Sequence, residues 1–521
     1  MEDTMYPGVH AARTPDQPAV IMAASGARLT FGELEENSLR LAHRLREQGL
    51  RRGDVIALFS GNDPRVFEVY WAAQRTGLYV TAVNKLLGPD ELRYILADSG
   101  AQALFVGPGV TASAAGLSAH ARVRYAVAMD SAPADGGEWH DYAAELAAGL
   151  TDSLDDQPRG GDMLYSSGTT GRPKGIQPPL PDRQVSDPGD SMVALFGDRL
   201  GLGPDTVFLS PAPLYHAASL RLCATVQALG GTVVAMERFD AEAALRAVET
   251  YQVTHSQWVP TMFVRMLRLP AEARDRYDLS SLRVAVHAAA PCPAEIKQQM
   301  MAWWGPILYE YYSSTEVAGV TWIGPQEWAA HQGSVGRAIL GVPHICDDGG
   351  RDLPTGTAGA VYFERDARPF EYHNDPERTR AAEHPDHPNW VTVGDIGFLD
   401  EEGYLYLTDR RAFMIISGGV NIYPQEIEDA LTVHPAVADV AVIGVPDPEM
   451  GEQVKAVVQV APGHLPGEEL AAELTVHVRS RLAGYKVPRS IDFVDELPRT
   501  PTGKLLKGDL RDRYRASVAR S

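Results

Sequence analysis

Apolar residues in the first third of the chain recur first at helical spacing and then at strand spacing. The segment Thr30-Phe-Gly-Glu33 fits a capping box, in which two side chains satisfy backbone amides at the start of a helix. The apolar residues that follow at helical spacing are Phe31, Leu34, Leu41 and Leu45. We therefore expect a helix that begins after Thr30 and ends near Gly49, where a glycine suits a C-terminal cap.

The same alternation continues beyond this helix. Apolar runs at residues 55–59 and 78–83 predict strands, and the segment at about 65–75 between them predicts a helix. A further helix pattern at 91–97 and a strand pattern at 103–106 repeat the unit. Strands that alternate with helices are typical of parallel sheets joined by helical crossovers, so the fold class is predicted to be α/β.

The end of the chain has a different pattern. Residues 437–445 and 454–460 predict strands, and residues 468–482 predict a helix, which together form a small α+β unit. Residues 177–190, rich in Pro, Asp and Gly, predict a surface loop. We place a boundary near residue 410, between a large αβ domain of several subdomains (1–410) and a small C-terminal domain (411–521).

Composition limits the classes of function. The 521 residues are 45% hydrophobic and 22% charged, as in a globular protein with large cores. Sixty-eight acidic against 47 basic residues give a net charge of −21, which disfavours nucleic acid and anionic lipid as partners. The three cysteines, with no C-x-x-C pair, and the lack of a signal peptide or membrane-spanning segment predict a soluble cytoplasmic protein. Oligomeric state is not readable from the sequence.

One segment concentrates groups that bind phosphate. Tyr165-Ser-Ser-Gly-Thr-Thr-Gly-Arg-Pro-Lys-Gly175 follows a short apolar strand and combines glycines, hydroxyls and two cations. Glycines let backbone amides approach a polyanion, while the hydroxyls and Lys174 add donors and charge. Pro173 stands where a Walker A loop requires its second glycine, so this is a different phosphate loop. The competing interpretation is a flexible surface turn.

This string resembles the phosphate-binding signature of the adenylate-forming superfamily, which includes acyl-CoA synthetases, peptide-synthetase adenylation domains and luciferases. Further elements of that family stand in the expected order along the chain. They are Tyr309-Glu-Tyr-Tyr-Ser-Ser-Thr-Glu316, Val393-Gly-Asp395, Asp409-Arg-Arg411, Ile416-Ser-Gly-Gly419 and Pro501-Thr-Gly-Lys504. The resemblance thus extends from residue 165 to residue 504.

The resemblance implies an ATP site. It implies that Tyr312 stacks on adenine, Thr315 contacts the α-phosphate, Glu316 is a ligand of Mg²⁺, Asp395 accepts the ribose hydroxyls and Arg410 reaches the sugar or the phosphate. Without the family, Tyr312 would be interpreted as a core residue, and Thr315 with Glu316 as the start of a helix. Asp395 would be interpreted as a turn residue and Arg410 as a surface residue. The full set of implied ATP or AMP contacts is Ser166, Ser167, Gly168, Thr169, Thr170, Gly171, Lys174, Ala290, Tyr312, Thr315, Asp395, Arg410 and Lys504.

The resemblance also implies a mobile C-terminal domain. Lys504 would swing in and bridge the carboxylate and the α-phosphate during adenylation, acting with Thr315 and Glu316. After rotation, Ser417, Gly418 and Gly419 would line a coenzyme A tunnel. Phe413 occupies the hinge position, where the family usually has Asp or Lys.

The acyl group is expected to lie beside Pro213-Leu-Tyr-His216, with His216 in contact with the substrate carboxylate. Although a lone histidine is more often a packed or surface residue, the family places one at the mouth of the acyl pocket. The small side chains at 217–218, 288–290 and 317–319 predict room for a bulky or long hydrophobic acid.

The expected reaction is that of an AMP-forming acyl-CoA ligase using ATP, Mg²⁺ and coenzyme A. One alternative is a stand-alone adenylating enzyme that loads the thiol of a carrier protein. The other is a nucleotide-sensing homologue without turnover, against which the joint presence of Glu316, Asp395 and Lys504 weighs.

Overall fold

The N-terminal part of the chain is built on two sheets whose strands are mainly parallel. The computed structural model describes residues 6–120, 122–166, 173–410, 413–418, 420–447, 449–499 and 505–518. A nine-stranded sheet has the spatial order Arg337–Leu340, Val320–Ile323, Leu308–Tyr312, Val284–His287, His255–Trp258, Val207–Ser210, Thr232–Ala235, Pro18–Met22 and Arg28–Thr30. Its six central strands are parallel, and the antiparallel strands lie at its two edges.

A second sheet of six strands is parallel throughout. Its order is His140–Asp141, Tyr125–Ala128, Ala103–Val106, Val55–Phe59, Tyr79–Val83 and Gly161–Asp162. The largest apolar core contains residues of both sheets and of the helices around them, including Ile56, Trp71 and Phe208. This agrees with the rule that parallel sheets are covered on both faces, and the predicted α/β class is confirmed.

Two smaller antiparallel sheets complete this part of the chain. One contains Leu164–Ser166, Lys174–Gln177 and Glu371–Tyr372. The other contains Val342–Cys346, Gly359–Glu364, Trp390–Val391, Asp395–Leu399 and Leu405–Arg410.

The helices connect these strands, and the first long one begins as predicted. Thr30 Oγ accepts from the Glu33 amide at 3.2 Å, and the Thr30 amide donates to Glu33 at 2.8 Å. Gly49 follows this helix with φ of +80°, a conformation that favours glycine. The helices are Pro7–Arg13, Phe31–Glu47, Arg65–Gln74, Pro89–Ser99, Tyr142–Ala148, Asp198–Leu200, Ala217–Ala228, Ala241–Tyr251, Pro260–Leu267, Ala271–Arg274, Ala294–Trp304, Pro325–Ala330, Pro376–Ala381, Pro424–Thr432, Glu468–Arg481 and Lys507–Val518.

The C-terminal part forms a separate sheet with its own core. Its strands are Ile415–Ser417, Val420–Ile422, Val437–Asp447, Gly451–Val460 and Ser490–Val494. Residues such as Ile415, Val442 and Leu474 form an apolar cluster within this part. The proposed boundary near residue 410 therefore falls between strands of two different sheets.

The C-terminal part contacts the large domain through both polar and apolar groups, and Val433 packs against an apolar core of the large domain. Arg268 donates to the carbonyl of Ala438 at 2.7 Å, and Arg481 pairs with Glu295 at 3.1 Å. None of the described helices has the length and apolar character that crossing a bilayer requires.

Candidate active site

The candidate residues of the large domain gather where the parallel strands end. Tyr312 is the last residue of its strand, Ala290 follows the strand Val284–His287, and His216 lies in the loop that leaves Val207–Ser210. These strands are parallel, so their carboxyl ends lie along one edge of the nine-stranded sheet. This is the edge at which open α/β sheets usually bind their ligands.

The two ends of the phosphate signature are held in an antiparallel hairpin. Ser166 pairs with Lys174 across the strands, so the two described ends of the signature lie side by side. The Ser166 hydroxyl is buried without a hydrogen-bond partner in the described residues. The predicted contacts Ser167, Gly168, Thr169, Thr170 and Gly171 lie outside the described residues.

Lys174 joins the signature to the candidate metal ligand. Its Nζ lies 2.8 Å from Glu316 Oε1 and 2.9 Å from the hydroxyl of Tyr372. The Tyr372 hydroxyl also donates to Glu316 Oε1 at 2.9 Å. The Glu316 side chain is 5% exposed, whereas that of Lys174 is 19% exposed. These three side chains, here called the phosphate-edge triad, therefore form a closed and nearly buried polar cluster.

The triad determines the charge of Glu316. Burial has the largest effect and would by itself raise the pKa of this carboxyl group, but the charge of the Lys174 ammonium and the hydrogen bonds to the carboxylate together outweigh burial and lower it. Hydrogen bonds from Lys174 and Tyr372 act in the same direction. Glu316 is therefore ionised at neutral pH.

The donor set at this position is compatible with Mg²⁺. Protein-bound Mg²⁺ commonly has one or two carboxylate ligands and completes its shell with phosphate oxygens and water. Glu316 supplies one ionised carboxylate beside the signature hairpin. Within the described residues, no group of three or more His, Cys, Asp or Glu side chains is arranged to hold a metal ion without a nucleotide.

The candidate adenine and ribose contacts are neighbours. The Tyr312 hydroxyl donates to Asp395 Oδ2 at 2.6 Å, and Asp395 is buried. Asp395 also pairs across two strands with the backbone of Arg410, whose side chain is outside the described part. A base stacked on Tyr312 would thus place its sugar near Asp395.

Two strained turns border the same edge. Val317, directly after Glu316, has φ of +50°, and Ala289, directly before Ala290, has φ of +74°. Residues with a β-carbon rarely adopt this left-handed conformation, and valine least of all. The turn at Val317 is held by a hydrogen bond from Ser313 Oγ to the carbonyl of Gly319 at 2.9 Å.

A partly buried arginine connects three segments of the site. Arg221 lies on the helix Ala217–Ala228, which begins directly after His216, and its Nε is 2.9 Å from Asp162 Oδ2. Its Nη1 donates to the carbonyl of Thr315 at 3.4 Å. Asp162 lies two residues before the strand that leads into the signature. Arg221 thus links the His216 helix, the signature strand and the Thr315 turn.

The small residues expected to leave room for the substrate are partly covered. A β-carbon on Gly319 would lie 2.0 Å from the ring of Phe363, so that ring fills the space beside Gly319. Ala318 is buried in an apolar cluster with Phe370 and Tyr372. At Ala318 and Gly319, the expected volume is therefore occupied by the protein itself.

The candidate residues of the C-terminal domain have contacts within that domain. Ser417 is buried and pairs with Gly451, and the Gly418 amide donates to the carbonyl of Met450 at 2.8 Å. Gly419 and Lys504 lie outside the described residues. The half-buried Phe413 has its ring centroid 5.8 Å from the Nζ of Lys507.

The family is shown by comparison with known proteins. Residues 9–367 match the model of the AMP-binding enzyme family, and residues 426–504 match the AMP-binding enzyme C-terminal domain. The chain belongs to the AMP-binding enzyme family. The predicted membership of the adenylate-forming superfamily and the predicted class, an AMP-forming acid–thiol ligase, are thereby confirmed.

Relatives of this AMP-binding enzyme match over nearly the whole chain. It is 36% identical over 514 residues to a feruloyl-CoA synthase of Amycolatopsis, with 98% of both chains covered. It is 31% identical to the fatty acid–[acyl-carrier-protein] ligase ScoC of Streptomyces coeruleorubidus, with 98% and 96% covered. The o-succinylbenzoate CoA synthetase of Bacillus subtilis, solved with its acyl-adenylate, is similar with a TM-score of 0.79, 26% identity and 98% of both chains covered.

Several residues of the site were not found by sequence reasoning. Tyr372 lies in a strand of two residues, and Asp162 and Arg221 belong to no motif. Each of these residues enters the site through a contact with a residue distant in the chain, so no local sequence pattern identifies it.

Proposed function

We propose that this AMP-binding enzyme is an acyl-CoA ligase that activates a hydrophobic carboxylic acid as its acyl adenylate and transfers the acyl group to coenzyme A. The observation that carries the proposal is the phosphate-edge triad, beside the Tyr312–Asp395 pair, at the carboxyl edge of the sheet. These groups would hold the phosphate, base and sugar of one nucleotide within a continuous surface.

In the first half of the reaction, a substrate carboxylate oxygen attacks the α-phosphorus of ATP and pyrophosphate leaves. Thr315 and Lys174 would donate to phosphate oxygens, and Lys504 would add positive charge as the transition state forms. Glu316 would hold Mg²⁺ together with phosphate oxygens, and the metal would neutralise phosphate charge. In this proposal, Lys174 would release Glu316 when Mg²⁺ binds and would turn towards the phosphates.

In the second half, a thiolate attacks the acyl carbonyl carbon and AMP leaves. We propose that residues 1–410 bind ATP and the acid, and that residues 411–521 rotate about Phe413 between the two halves. Ser417, Gly418 and Gly419 would then border the thiol arm of coenzyme A, and His216 would contact the acyl carboxylate.

The acid is proposed to be bulky or long and hydrophobic. Ala217 and Ala218, directly after His216, are small and only partly buried, which supports room for a large acid beside that histidine. Preference for acetate by more than about 10-fold in kcat/KM over every large acid would contradict this part of the proposal.

The test of the reaction measures pyrophosphate and AMP release for a panel of carboxylic acids, with and without coenzyme A. We expect acid-dependent pyrophosphate release and saturable thioester formation with free coenzyme A. A second candidate acceptor is the thiol of a carrier protein, which the resemblance to ScoC favours. Thioester formation on an acyl carrier protein but not on coenzyme A would select that candidate, and no acid-dependent release would reject both.

A cytoplasmic location is proposed with this function. Cys223, Cys292 and Cys346 are all free thiols, which supports a reducing compartment.

A further inference from the structure

A pair of polar side chains lies on the core-facing side of the nine-stranded sheet, close to its carboxyl edge. Gln257 is in the strand His255–Trp258 and Tyr311 is in the strand Leu308–Tyr312. The Gln257 Nε2 group donates to the Tyr311 hydroxyl at 3.1 Å. Both residues are at least nine-tenths buried, with exposures of 5% and 9%.

The position of this pair follows from strand alternation. Neighbouring residues of a strand point to opposite faces, so Tyr311 points away from the face of Tyr312. Tyr311 belongs to the large core, together with Leu220 and Cys223 of the helix that begins after His216. Tyr311 therefore faces the same core as the helix that begins after His216, and it directly precedes the candidate adenine contact Tyr312.

The described part of the protein does not provide a hydrogen-bond partner for every polar group of this pair. Gln257 Oε1 is buried without a hydrogen-bond partner in the described residues. Because an amide has one acceptor and one donor group, turning it over would leave the other group unpartnered instead. Buried polar groups are nearly always paired, so the unpaired amide group of Gln257 is available to a partner that a ligand supplies.

The surroundings indicate the chemistry of that ligand group. The ring of Phe196 lies 5.2 Å from the Tyr311 ring and 6.1 Å from the Trp322 ring. Flat rings pack well against such aromatic walls. The neighbouring cation, Arg221, is already paired with Asp162, so a neutral polar group suits the pair better than a charged one.

We infer that Gln257 and Tyr311 bind a hydroxyl group carried by an aromatic ring of the acyl substrate. A hydroxyl both donates and accepts, and it therefore matches the glutamine amide in either orientation and the tyrosine hydroxyl beside it. This inference rests on the proposed function, since it names hydroxyaryl carboxylic acids as the class of acid that the enzyme activates.

The experiment compares 3-phenylpropenoic acid with its 2-, 3- and 4-hydroxyphenyl counterparts, and includes a long-chain fatty acid. Acid binding is measured by calorimetry, and kcat/KM by pyrophosphate release. For the wild type, we expect at least one hydroxylated acid to exceed the unsubstituted acid about 10-fold to 100-fold, because the unsubstituted acid leaves the buried amide unpaired.

Gln257→Leu and Tyr311→Phe remove the hydrogen-bonding groups while keeping similar volume. Each should reduce the preference for the hydroxylated acid to less than about 3-fold while the unsubstituted acid reacts nearly as before. Tyr309→Phe is the matched control, because Tyr309 lies on the same strand and face but stacks on Trp322 outside the pair. It should retain the preference of the wild type.

The outcomes separate this inference from the proposed function. Equal rates for hydroxylated and unsubstituted acids, preference for the fatty acid, or an unchanged preference in Tyr311→Phe would overturn the inference even if the enzyme is active. Tighter binding of the hydroxylated acid that is lost in both variants would support the inference even if no thioester forms. Tyr311→Phe removes a single oxygen, so it keeps the test available if Gln257→Leu does not fold.

Discussion

Replacing Lys174 by methionine should destabilise the nucleotide-free enzyme in a manner that depends on pH. Methionine keeps most of the length of the lysine side chain and removes its charge. The substitution leaves Glu316 buried, with Tyr372 as its remaining partner in the phosphate-edge triad. A buried carboxylate that loses its cation is destabilised, whereas an exposed one would hardly be affected.

The magnitude follows from the geometry. At 2.8 Å and an effective dielectric constant of about 20, two unit charges attract by about 6 kcal/mol. Removing one partner of a buried pair usually costs about 3–5 kcal/mol. Because Lys174 is 19% exposed, water already screens part of the attraction, and we expect a loss of about 3 kcal/mol in the free energy of unfolding at pH 7.

The sign of the pH dependence follows from the pKa of Glu316. In the wild type that pKa lies below its ordinary value of 4.5, so the carboxylate stabilises the fold above that pH. This stabilisation is lost as the pH falls through the lowered pKa. Without Lys174, burial dominates and raises the pKa, so the carboxylate destabilises the variant as the pH rises above about 4.5. The difference between the two proteins should therefore be largest near neutral pH and decrease towards pH 4.

Denaturant unfolding without nucleotide at pH 7 and at pH 4.5 measures this difference. The double variant Lys174→Met/Glu316→Gln removes both charges and should recover at least half of the lost stability. Lys85→Met, a lysine for which the described residues provide no ion pair, is the control for loss of one positive charge. Equal stability of Lys174→Met and wild type at pH 7, or no recovery in the double variant, would refute the reasoning.

Three further predictions concern catalysis. Lys504→Ala should lower pyrophosphate release by a few orders of magnitude and still convert a supplied acyl adenylate to thioester; unchanged release would remove Lys504 from the adenylation step. Phe413→Asp places a carboxylate near Lys507 instead of an apolar ring, so the steady-state rate should change while single-turnover adenylation stays near wild type; equal effects on both rates would contradict a hinge role. Arg221→Met removes the donor to the Thr315 carbonyl and should lower kcat for adenylation about 10-fold, with a smaller effect on KM for ATP. Arg221→Lys should partly restore kcat. A wild-type kcat in Arg221→Met would exclude a positioning role.

The sequence was sufficient for the local elements and for the family. The capping box at Thr30 predicts the helix Phe31–Glu47, and the apolar runs predict strands such as Val55–Phe59 and Ala103–Val106 at their observed bounds. These features depend on residues close together in the chain, where spacing alone decides which side chains share a face. The ordered motifs likewise identified the adenylate-forming family, because each one is a short continuous string.

The contacts of the candidate site needed the tertiary structure. Lys174 contacts Glu316 across 142 residues of chain and Tyr372 across 198. No local sequence pattern around Lys174 identifies either residue as its partner. Gln257 and Tyr311 meet because their strands flank the strand Val284–His287, an order that no local periodicity encodes. The surroundings of Gly319 also needed the fold. The sequence predicts that this small residue leaves room for the substrate, but the ring of Phe363 fills the space beside it. Sequence spacing determines which face of an element a residue occupies, whereas only the arrangement of the sheets decides what that face meets.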